Sequence, residues 1–399
     1  MRLFQATTYL PRASGPDMVD FKLDEVQEML RELAHQFAED EIRPHAEKWD
    51  DESLYPIETI KAAHEMGLLN LHIPEAYGGA GLGTFEEVIV NEELAWGDPG
   101  FSTAAYATGL ACAPIITGAT NFQKEKYLSM VAEKGALASY AVTEPGAGSD
   151  VASISTTAKK ENDEYVLNGS KMWITGAGYA DWFFVLAKTD VDAGYRGMSG
   201  FIVESDWEGL SLGKKETNMG QRCSDTRSIT FDNVRVPEEN LVGGSESGGW
   251  MNAMSAFDMS RPNIAAHATG LSRAAYEHAL NYSHERHSFG KPLHKHQAIQ
   301  FMLADMKTKV EASRLLTWKS AIEFDNGVTN TESAAHAKRF AADSCMEVTT
   351  DAVQVFGGYG YSEEYPVARL MRAAKVMQIY EGSSQVQRMI IGREITKNL

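Results

Sequence analysis

The sequence has few cysteines and no long apolar run, and each shortage excludes a class of protein. Three cysteines, Cys112, Cys223 and Cys345, occur among 399 residues, and no two of them form a CxxC pair. This spacing argues against a disulfide framework and against a zinc site, and it suits a reducing compartment. No apolar run approaches the roughly 18 residues that a membrane span requires, so the sequence predicts no membrane span.

Basic residues are also scarce relative to acidic ones. Lys and Arg number 37 against 55 Asp and Glu, which gives a formal net charge of -18. Such an acidic balance argues against nucleic acid as a partner, because two polyanions repel each other. The hydrophobic share of 43% and the charged share of 23% are typical of globular proteins, and the length predicts more than one domain.

The first 20 residues differ from those that follow. Arg2 and Arg12 stand among Ser, Thr and Pro, a composition faintly typical of a transit peptide, but the apolar residues show no helical period. The run Met18-Val-Asp-Phe reads as a natural start. We therefore expect an N-terminal extension over residues 1–20 and a cytoplasmic protein, with the mitochondrial matrix as the alternative.

Residues 21–137 are predicted to form an all-α domain. Apolar residues recur there at three- and four-residue spacings and make one apolar helix face. In the first helix they are Val26, Met29, Leu30, Leu33 and Phe37. Pro44 marks a helix end or a kink. Further helices are predicted over residues 57–66, 85–95 and 123–132.

Residues 138–248 change in character, because strand-like runs follow one another without helical segments between them. Asn168-Gly169 lies between two such runs and predicts a β-hairpin. Strands that follow strands favour an antiparallel, barrel-like sheet.

From residue 249 to 399 the helical period returns in long segments, over residues 263–283, 297–324 and 331–355, as expected of a helical bundle. The predicted fold class is α+β multidomain: an N-terminal all-α domain, a central antiparallel β-barrel-like domain and a C-terminal four-helix bundle.

Residues 377–388 hold a single carboxylate, Glu381, between Tyr380 and Gly382. Apolar flanks predict partial desolvation, which disfavours the charged carboxylate and raises its pKa toward the range of a general base. The same Glu-Gly-Ser-Ser run could instead be the N-cap region of a terminal helix. Spacing alone favours the helix start.

Residues 140–150 form a glycine-rich turn after a strand. Gly146 and Gly148 allow the backbone to approach a ligand, and Thr143 and Ser149 offer hydroxyls to a heteroaromatic ring or a phosphate. Trp173 lies in a later strand, where a tryptophan more often belongs to the core than to a cofactor platform.

Three C-terminal segments carry polar groups suited to a ligand, and each also has a plainer interpretation. Arg286 is apt for bidentate phosphate recognition, whereas His296 alone is more typical of a structural histidine. The run Gln354-Val-Phe-Gly-Gly358 is not a dinucleotide fingerprint, because no βαβ unit surrounds it. Asp258 and Arg261 could be an i,i+3 helix pair.

Together these segments, with residues 218–227, resemble the acyl-CoA dehydrogenase family in order and spacing over residues 21–399. The resemblance is strongest to its medium-chain and short-chain branch. It implies FAD-dependent α,β-dehydrogenation of a saturated straight-chain, medium- or short-chain acyl-CoA to trans-2-enoyl-CoA in fatty acid β-oxidation.

The resemblance also implies a role for each group. Glu381 would take the α proton while the β hydride passes to flavin N5. The Glu381 backbone N–H and the flavin ribityl chain would polarise the thioester oxygen, as an oxyanion hole does. Electrons would pass to an electron-transferring flavoprotein docked near Glu216. The assembly would be a homotetramer, a dimer of dimers, with each FAD shared by two subunits.

The implied site residues fall into two sets. The resemblance assigns FAD contacts to Tyr140, Val142, Thr143, Gly148, Ser149, Trp173, Ile174, Thr175, Arg286, Ser288, Phe289, His296, Gln297, Gln354, Val355, Phe356, Gly357, Gly358, Ser383 and Gln385. It assigns acyl-CoA contacts to Ser149, Phe257, Asp258, Arg261, Tyr380, Gly382 and Arg393.

The chain departs from the family pattern at several positions. Ser383 and Ser288 replace threonines, and both keep a hydroxyl for the flavin. Ser260 stands where relatives that act on isovaleryl-CoA and long chains carry their catalytic glutamate. Ser102 and Tyr106 align with a Gln and a Glu at the closed end of the medium-chain acyl pocket. A tyrosine ring there would shorten the pocket.

Three alternatives stay open. An acyl-CoA oxidase would reoxidise the flavin with oxygen and release peroxide. Glutaryl-CoA dehydrogenase is disfavoured, because Gly100-Phe-Ser-Thr lacks the arginine expected for a dicarboxylate. Flavoprotein relatives that bind DNA are disfavoured by the acidic balance and by the lack of a basic tail.

Overall fold

The computed structural model describes residues 21–397. The extension predicted over residues 1–20 lies outside the described residues. Within residues 21–397 the chain forms a helical part, a sheet and a second helical part, in that order, as predicted.

The first helical part contains six helices within the described range. They are α1 (Glu25–Phe37), α2 (Ala46–Asp51), α3 (Ile57–Glu65), α4 (Thr84–Gly97), α5 (Pro99–Gly118) and α6 (Asn121–Lys134). Asp24 caps α1 by accepting hydrogen bonds from the backbone of Val26 and Gln27, which satisfies two of the free N–H groups of the first turn. The predicted helices over residues 57–66, 85–95 and 123–132 are confirmed.

The sheet contains seven strands and curls around its own core. They are β1 (Ala138–Ala141), β2 (Thr157–Glu161), β3 (Glu164–Thr175), β4 (Trp182–Lys188), β5 (Met198–Glu204), β6 (Leu210–Leu212) and β7 (Thr226–Pro237). Their order is β1-β4-β2-β3-β7-β6, with β5 beside β4. Four strand pairs are antiparallel, but β1 and β2 both run parallel to β4. The long loop after β1 allows the chain to return in the same direction.

The hairpin predicted at Asn168-Gly169 is wrong. Strand β3 runs through both residues with a register shift beside β7, and the tight turn lies instead at Asn162-Asp163, between β2 and β3. Gly169 serves a close contact, since a Cβ there would lie 2.7 Å from the Cα of Thr156. Glycine in a strand often marks such a bulge or close approach.

The second helical part contains five helices and a small hairpin. They are α7 (Gly249–Glu285), β8 (His287–Ser288), β9 (Lys291–Pro292), α8 (Gln297–Asp325), α9 (Thr331–Phe356), α10 (Pro366–Met377) and α11 (Ser384–Thr396). Helices α7, α8 and α9 pack against one another, and α10 and α11 pack on α9. The predicted long helices are confirmed, and α7 extends 14 residues before the predicted start at residue 263.

The two helical parts share one hydrophobic core. Leu94 and Phe101 of the first part belong to the same buried cluster as Leu271 and Met306 of the second. A smaller cluster, with Ala113 and Met259 packed near Tyr140, joins the helices to the sheet. The site described below lies at this junction. No helix within residues 21–397 is long and apolar enough to cross a bilayer.

Candidate active site

Glu381 lies on a tight turn between α10 and α11. Its φ is 54° and that of Gly382 is 86°, so two successive residues have left-handed backbone. This conformation costs free energy for a residue other than glycine, and it persists only where neighbouring groups hold it. The turn directs the Glu381 carboxylate toward α7.

Two side chains hold the carbonyl groups of this turn. The Gln387 amide donates to the carbonyls of Glu381 and Gly382 at 3.0 and 3.1 Å. Lys338 on α9 donates to the Gly382 carbonyl at 2.7 Å. Ser383 caps α11 by accepting from the Val386 backbone N–H at 3.3 Å. The helix start predicted from spacing is therefore confirmed, and it is compatible with a functional carboxylate.

Among the described residues, the Glu381 carboxylate has one direct hydrogen-bond partner. Ser260 Oγ donates to its Oε2 at 2.8 Å. Burial raises the pKa of Glu381, while the Ser260 hydrogen bond and the positive charges of Arg261 and Lys338 oppose the rise. The balance leaves the pKa above its ordinary value, as expected for a general base.

Three other predicted substrate residues, Phe257, Asp258 and Arg261, lie on α7 next to Ser260. Arg261 is buried and donates to Asp258 at 3.0 Å, so the i,i+3 pair is present as well. Its guanidinium lies 5.6 Å from the Phe257 ring centroid, and Phe257 packs edge-on against Tyr140. Arg393 is exposed on α11 and pairs with its neighbour Glu394. The structure thus brings these residues to one side of the base.

Aromatic and hydroxyl side chains continue from Glu381 into the helical core. The Tyr380 hydroxyl lies 3.3 Å from Thr103 Oγ1 on α5. One turn further along α5, Tyr106 is buried and packs edge-on against His267, at 5.5 Å between ring centroids. Burial raises the pKa of Tyr106 well above its usual value, and the charges of Glu87 and Glu381 add to the effect. Ser102 is buried beside it.

On the side of the sheet, the site consists of an exposed aromatic ring and of glycines with free space around them. Trp173 lies near the end of β3 with a φ of 64° and a 57% exposed side chain, which is unlike a core tryptophan. The Met172 backbone N–H donates to the Thr143 carbonyl at 2.9 Å, so the 140–150 loop lies against this strand end. A Cβ at Gly146 or Gly148 would meet nothing within 4 Å. The cradle fits a planar heteroaromatic ring.

The remaining residues predicted at this cradle vary in exposure. Ser139 Oγ donates to the Thr175 carbonyl at 2.7 Å, which ties β1 to the end of β3. Val142 and Ile174 are buried, Tyr140, Thr143 and Thr175 are half-buried, and Gly148 and Ser149 are exposed. Ser383 is half-buried and Gln385 is exposed at the start of α11.

A buried ion pair between β3 and the 140–150 loop fixes the position of the loop. Lys171 is fully buried and donates to Glu144 at 2.9 Å and to the Val142 carbonyl at 3.1 Å. Glu144 also accepts from the backbone N–H groups of Ser155 and Thr156. Burial alone would raise the pKa of Glu144, but Lys171 and these hydrogen bonds bring it to about 2.

The predicted phosphate-binding segments meet at a second place. The Arg286 guanidinium lies 5.5 Å from the Tyr359 ring centroid, so the β8-β9 hairpin faces the end of α9. His296 Nε2 lies 3.0 Å from the Ser288 carbonyl, which makes it a structural tie within the hairpin. Phe289, at the hairpin tip, is 95% exposed.

The other residues predicted in this second group lie at the ends of two helices. Gln297 begins α8, and Gln354, Val355 and Phe356 end α9 before Gly357 and Gly358. A Cβ added at either glycine would meet nothing within 4 Å. No strand-turn-helix unit surrounds the segment, as predicted, within residues 21–397.

Lys338 and Gln387 were missed as site residues by the sequence analysis. A signal for Lys338 exists, because it interrupts an apolar face of α9 formed by Ala334, Ala341 and Ala342. No comparable signal exists for Gln387, since an amide in a terminal helix is ordinary. Within residues 21–397, no group of three or more His, Cys, Asp and Glu could hold a metal ion.

The fold and the site define an enzyme with a half-buried carboxylate at the junction between its helices and its sheet. Its three parts match the acyl-CoA dehydrogenase N-terminal, middle and C-terminal domains over residues 24–135, 139–234 and 247–396. The chain belongs to the acyl-CoA dehydrogenase family, which is a family of oxidoreductases.

Its relatives include enzymes named for medium and short acyl chains. The chain is 45% identical over 379 residues, 94% of its length and 91% of the relative's, to "Probable medium-chain specific acyl-CoA dehydrogenase 2, mitochondrial" of Caenorhabditis briggsae. The structure of butyryl-CoA dehydrogenase from Megasphaera elsdenii matches with a TM-score of 0.92 and 43% identity, over 95% of this chain and 100% of that one.

A third match is to a chain in a structure of an electron transferring flavoprotein. A chain in a structure of the electron transferring flavoprotein of Acidaminococcus fermentans matches with a TM-score of 0.93 and 42% identity. The match covers 95% of this chain and 100% of that chain.

Proposed function

We propose that the protein dehydrogenates straight-chain, medium- or short-chain acyl-CoA at the α,β position, with Glu381 as the general base. The observation that carries this proposal is the Glu381 turn, which directs one half-buried carboxylate with a raised pKa toward α7. FAD is the cofactor of the family, and when bound it accepts the β hydride of the substrate.

Glu381 would remove the α proton from the acyl chain. A base with a raised pKa holds that proton more firmly than an ordinary carboxylate. Ser260 keeps Oε2 engaged at 2.8 Å, which leaves Oε1 for the proton. An acyl chain in the cleft would exclude water and strengthen the interactions of the carboxylate with nearby dipoles.

The residues around α7 would bind the CoA portion. Arg261 is held by Asp258, and Asp258 also accepts from Thr331 at 2.9 Å. This arrangement holds a buried cation near Glu381, and Arg393 supplies a second cation nearby on α11. Cations suit the phosphates of CoA.

The cradle at Trp173 would hold the flavin ring, with Thr175 and the 140–150 loop at its edges. An exposed ring, half-buried hydroxyls and open glycines are the groups present there. Hydroxyl and backbone groups can bond a heteroaromatic ring, and an aromatic side chain can stack on it.

The distance along α7 supports sharing of each FAD between two subunits. Ser260 lies on α7 and Arg286 directly follows the helix, so the two residues are 26 positions apart. At 1.5 Å per residue this separation is a rise of roughly 39 Å. One chain therefore cannot bring its own Arg286 to its own Glu381. We propose a homotetramer, a dimer of dimers, in which the β8-β9 hairpin of one subunit serves the flavin site of its neighbour.

Electron-transferring flavoprotein is the proposed acceptor. The matching chain in the Acidaminococcus fermentans structure supports this partner. Glu216 is half-buried in the segment between β6 and β7. Its backbone N–H donates to the Thr226 carbonyl at 2.9 Å, which ties this segment to the start of β7. The proposed place in metabolism is fatty acid β-oxidation, in the cytoplasm of a bacterium or in the mitochondrial matrix.

The decisive experiment is anaerobic bleaching of the flavin absorbance by acyl-CoAs of four to sixteen carbons. We expect rapid bleaching that peaks at one chain length and a loss of at least about a thousandfold in rate for Glu381→Gln, which removes the base. Glu58→Gln, a carboxylate on α3 that is 82% exposed, is the matched control. Absence of bleaching with every straight chain, despite bound FAD, would refute the proposed substrate class. Rapid reoxidation by oxygen with peroxide release would favour the oxidase alternative.

A further inference from the structure

Lys338 is a buried cation without a direct anionic partner among the residues that the structure describes. Its side chain is 0% exposed, and its ammonium donates to the Gly382 carbonyl at 2.7 Å. Among residues 21–397 no carboxylate forms an ion pair with it. Burying an ammonium is costly unless other groups compensate for the lost water, so this lysine calls for a physical reason.

The charged groups that act on Lys338 come from three elements. Burial lowers its pKa to about 7, the negative charges of Glu381 and Asp343 raise it, and the positive charge of Arg261 lowers it. Asp343, on the same helix, is already bound by Arg388, Ser384 and Gln378. Glu381 is therefore the anion that Lys338 chiefly faces.

We propose that Lys338 is the positioning residue of the base, fixing the Gly382 carbonyl and stabilising the ionised form of Glu381 with its charge. This inference rests on the proposed role of Glu381 as the general base. Lys338 would act through the turn, because its ammonium bonds the Gly382 carbonyl.

A hydrogen bond alone does not explain a lysine at this position. Gln387 already donates to the same carbonyl at 3.1 Å, and a neutral amide costs less to bury than an ammonium. The feature that an amide lacks is the charge. A positive charge near a buried carboxylate favours its ionised form.

The ion pair in the sheet shows why Lys338 bonds a carbonyl instead of the carboxylate. Lys171 touches Glu144 directly, and the pKa of Glu144 falls to about 2. A carboxylate with so low a pKa is a poor base near neutral pH. Lys338 sits on the carbonyl of the next residue, so Glu381 feels a weaker field and keeps a raised pKa.

The direct test is an infrared pH titration of the Glu381 carboxyl in the FAD-loaded protein without substrate. The carbonyl stretch of the protonated acid is assigned as the band that Glu381→Gln removes. Lys338→Met loses the charge and keeps most of the volume, whereas Lys338→Arg keeps the charge. We expect the Glu381 titration to move up by about one pKa unit in Lys338→Met and by much less in Lys338→Arg.

The kinetic test is the pH profile of flavin bleaching by the preferred acyl-CoA. The midpoint of the profile should rise by about one pH unit in Lys338→Met. At pH values below the midpoint of the parent protein, Lys338→Met should bleach about tenfold more slowly, and at high pH its rate should return close to that of the parent protein. A loss by the same factor at every pH, or an unmoved infrared titration, would show that Lys338 is only a structural tie.

Two further measures keep the outcomes distinct. If Lys338→Met does not retain FAD, Lys338→Gln keeps an N–H donor without the charge, and an unshifted Glu381 titration there would overturn the proposal. If the parent protein is not bleached by any acyl-CoA, the proposed function fails, yet the infrared titration still decides whether Lys338 and Glu381 are coupled.

Discussion

The buried pair of Lys171 and Glu144 allows a quantitative test of how the sheet holds the 140–150 loop. Lys171→Met keeps most of the side-chain volume and removes the ammonium. Glu144 would then remain buried with only the groups of Ser155 and Thr156 as partners. Removing one partner of a buried ion pair costs about 3–5 kcal/mol, because an uncompensated charge remains. We expect the free energy of unfolding to fall by about that amount.

The assay is urea denaturation followed by circular dichroism at one fixed protein concentration, since subunit assembly makes apparent stability concentration-dependent. Lys159→Met on β2 is the control, because its side chain is 81% exposed, and its change should stay within about 0.5 kcal/mol. The double variant Lys171→Met/Glu144→Gln removes both charges, and it should recover about 2 kcal/mol of the loss.

The contribution of Glu144 to stability depends on pH with a definite sign. The pKa of Glu144 lies at about 2 in the folded protein, below the ordinary value of 4.5. Its contribution to stability is thus complete above about pH 4.5 and is lost as the pH falls toward 2. Lys171→Met should flatten this acid limb. A loss below about 1 kcal/mol, or a double variant less stable than the single one, would refute the reasoning.

Two further predictions concern the acyl cleft. Tyr106→Ala should shift the preferred acyl-CoA to longer chains in the bleaching assay, with about a fourfold gain in kcat/KM for each additional methylene buried, since each contributes about 0.8 kcal/mol. The control Tyr106→Phe should leave the preferred length unchanged. An unchanged length in Tyr106→Ala would show that Tyr106 does not limit the acyl chain. Ser260→Ala removes a hydrogen bond to the ionised Glu381, so its pKa and the midpoint of the bleaching pH profile should rise, while a fall in the midpoint would show that Ser260 favours the protonated form.

Helices with one polar face could be predicted from the sequence, and α5 shows the limit of that method. Nearly every residue from Pro99 to Ile115 is buried, so no alternation of apolar and polar residues marks the helix. Periodicity reports contrast between two faces, and a helix buried on all sides has none. Tertiary packing decided this element.

The sheet shows a second limit, because local turn signals compete with long-range pairing. Asn168-Gly169 has the composition of a tight turn, yet β3 continues through it beside β7. Gly169 is needed there for the approach of Thr156, a residue 13 positions away. The parallel pairing of β1 with β4 also depends on contacts that no local pattern encodes.

Within the site, the sequence located the carboxylate but not what holds it. Glu381 stands out because it is the single carboxylate in an apolar stretch, and the raised pKa follows from burial. Ser260 and Lys338 are 121 and 43 positions away in the chain. Their contacts arise only when α7 and α9 pack around the turn, so local chemistry could not predict them.

The contact between Ser260 and Glu381 shows that side chains from two different parts of the backbone reach the position of the proposed base. The two side chains start from different elements, a helix and a turn, and their ends meet 2.8 Å apart. The carboxylate of a glutamate at position 260 would occupy the same volume as the Glu381 carboxylate. Under the proposed mechanism the reaction therefore constrains the position of the carboxylate, and either segment of the chain can supply it.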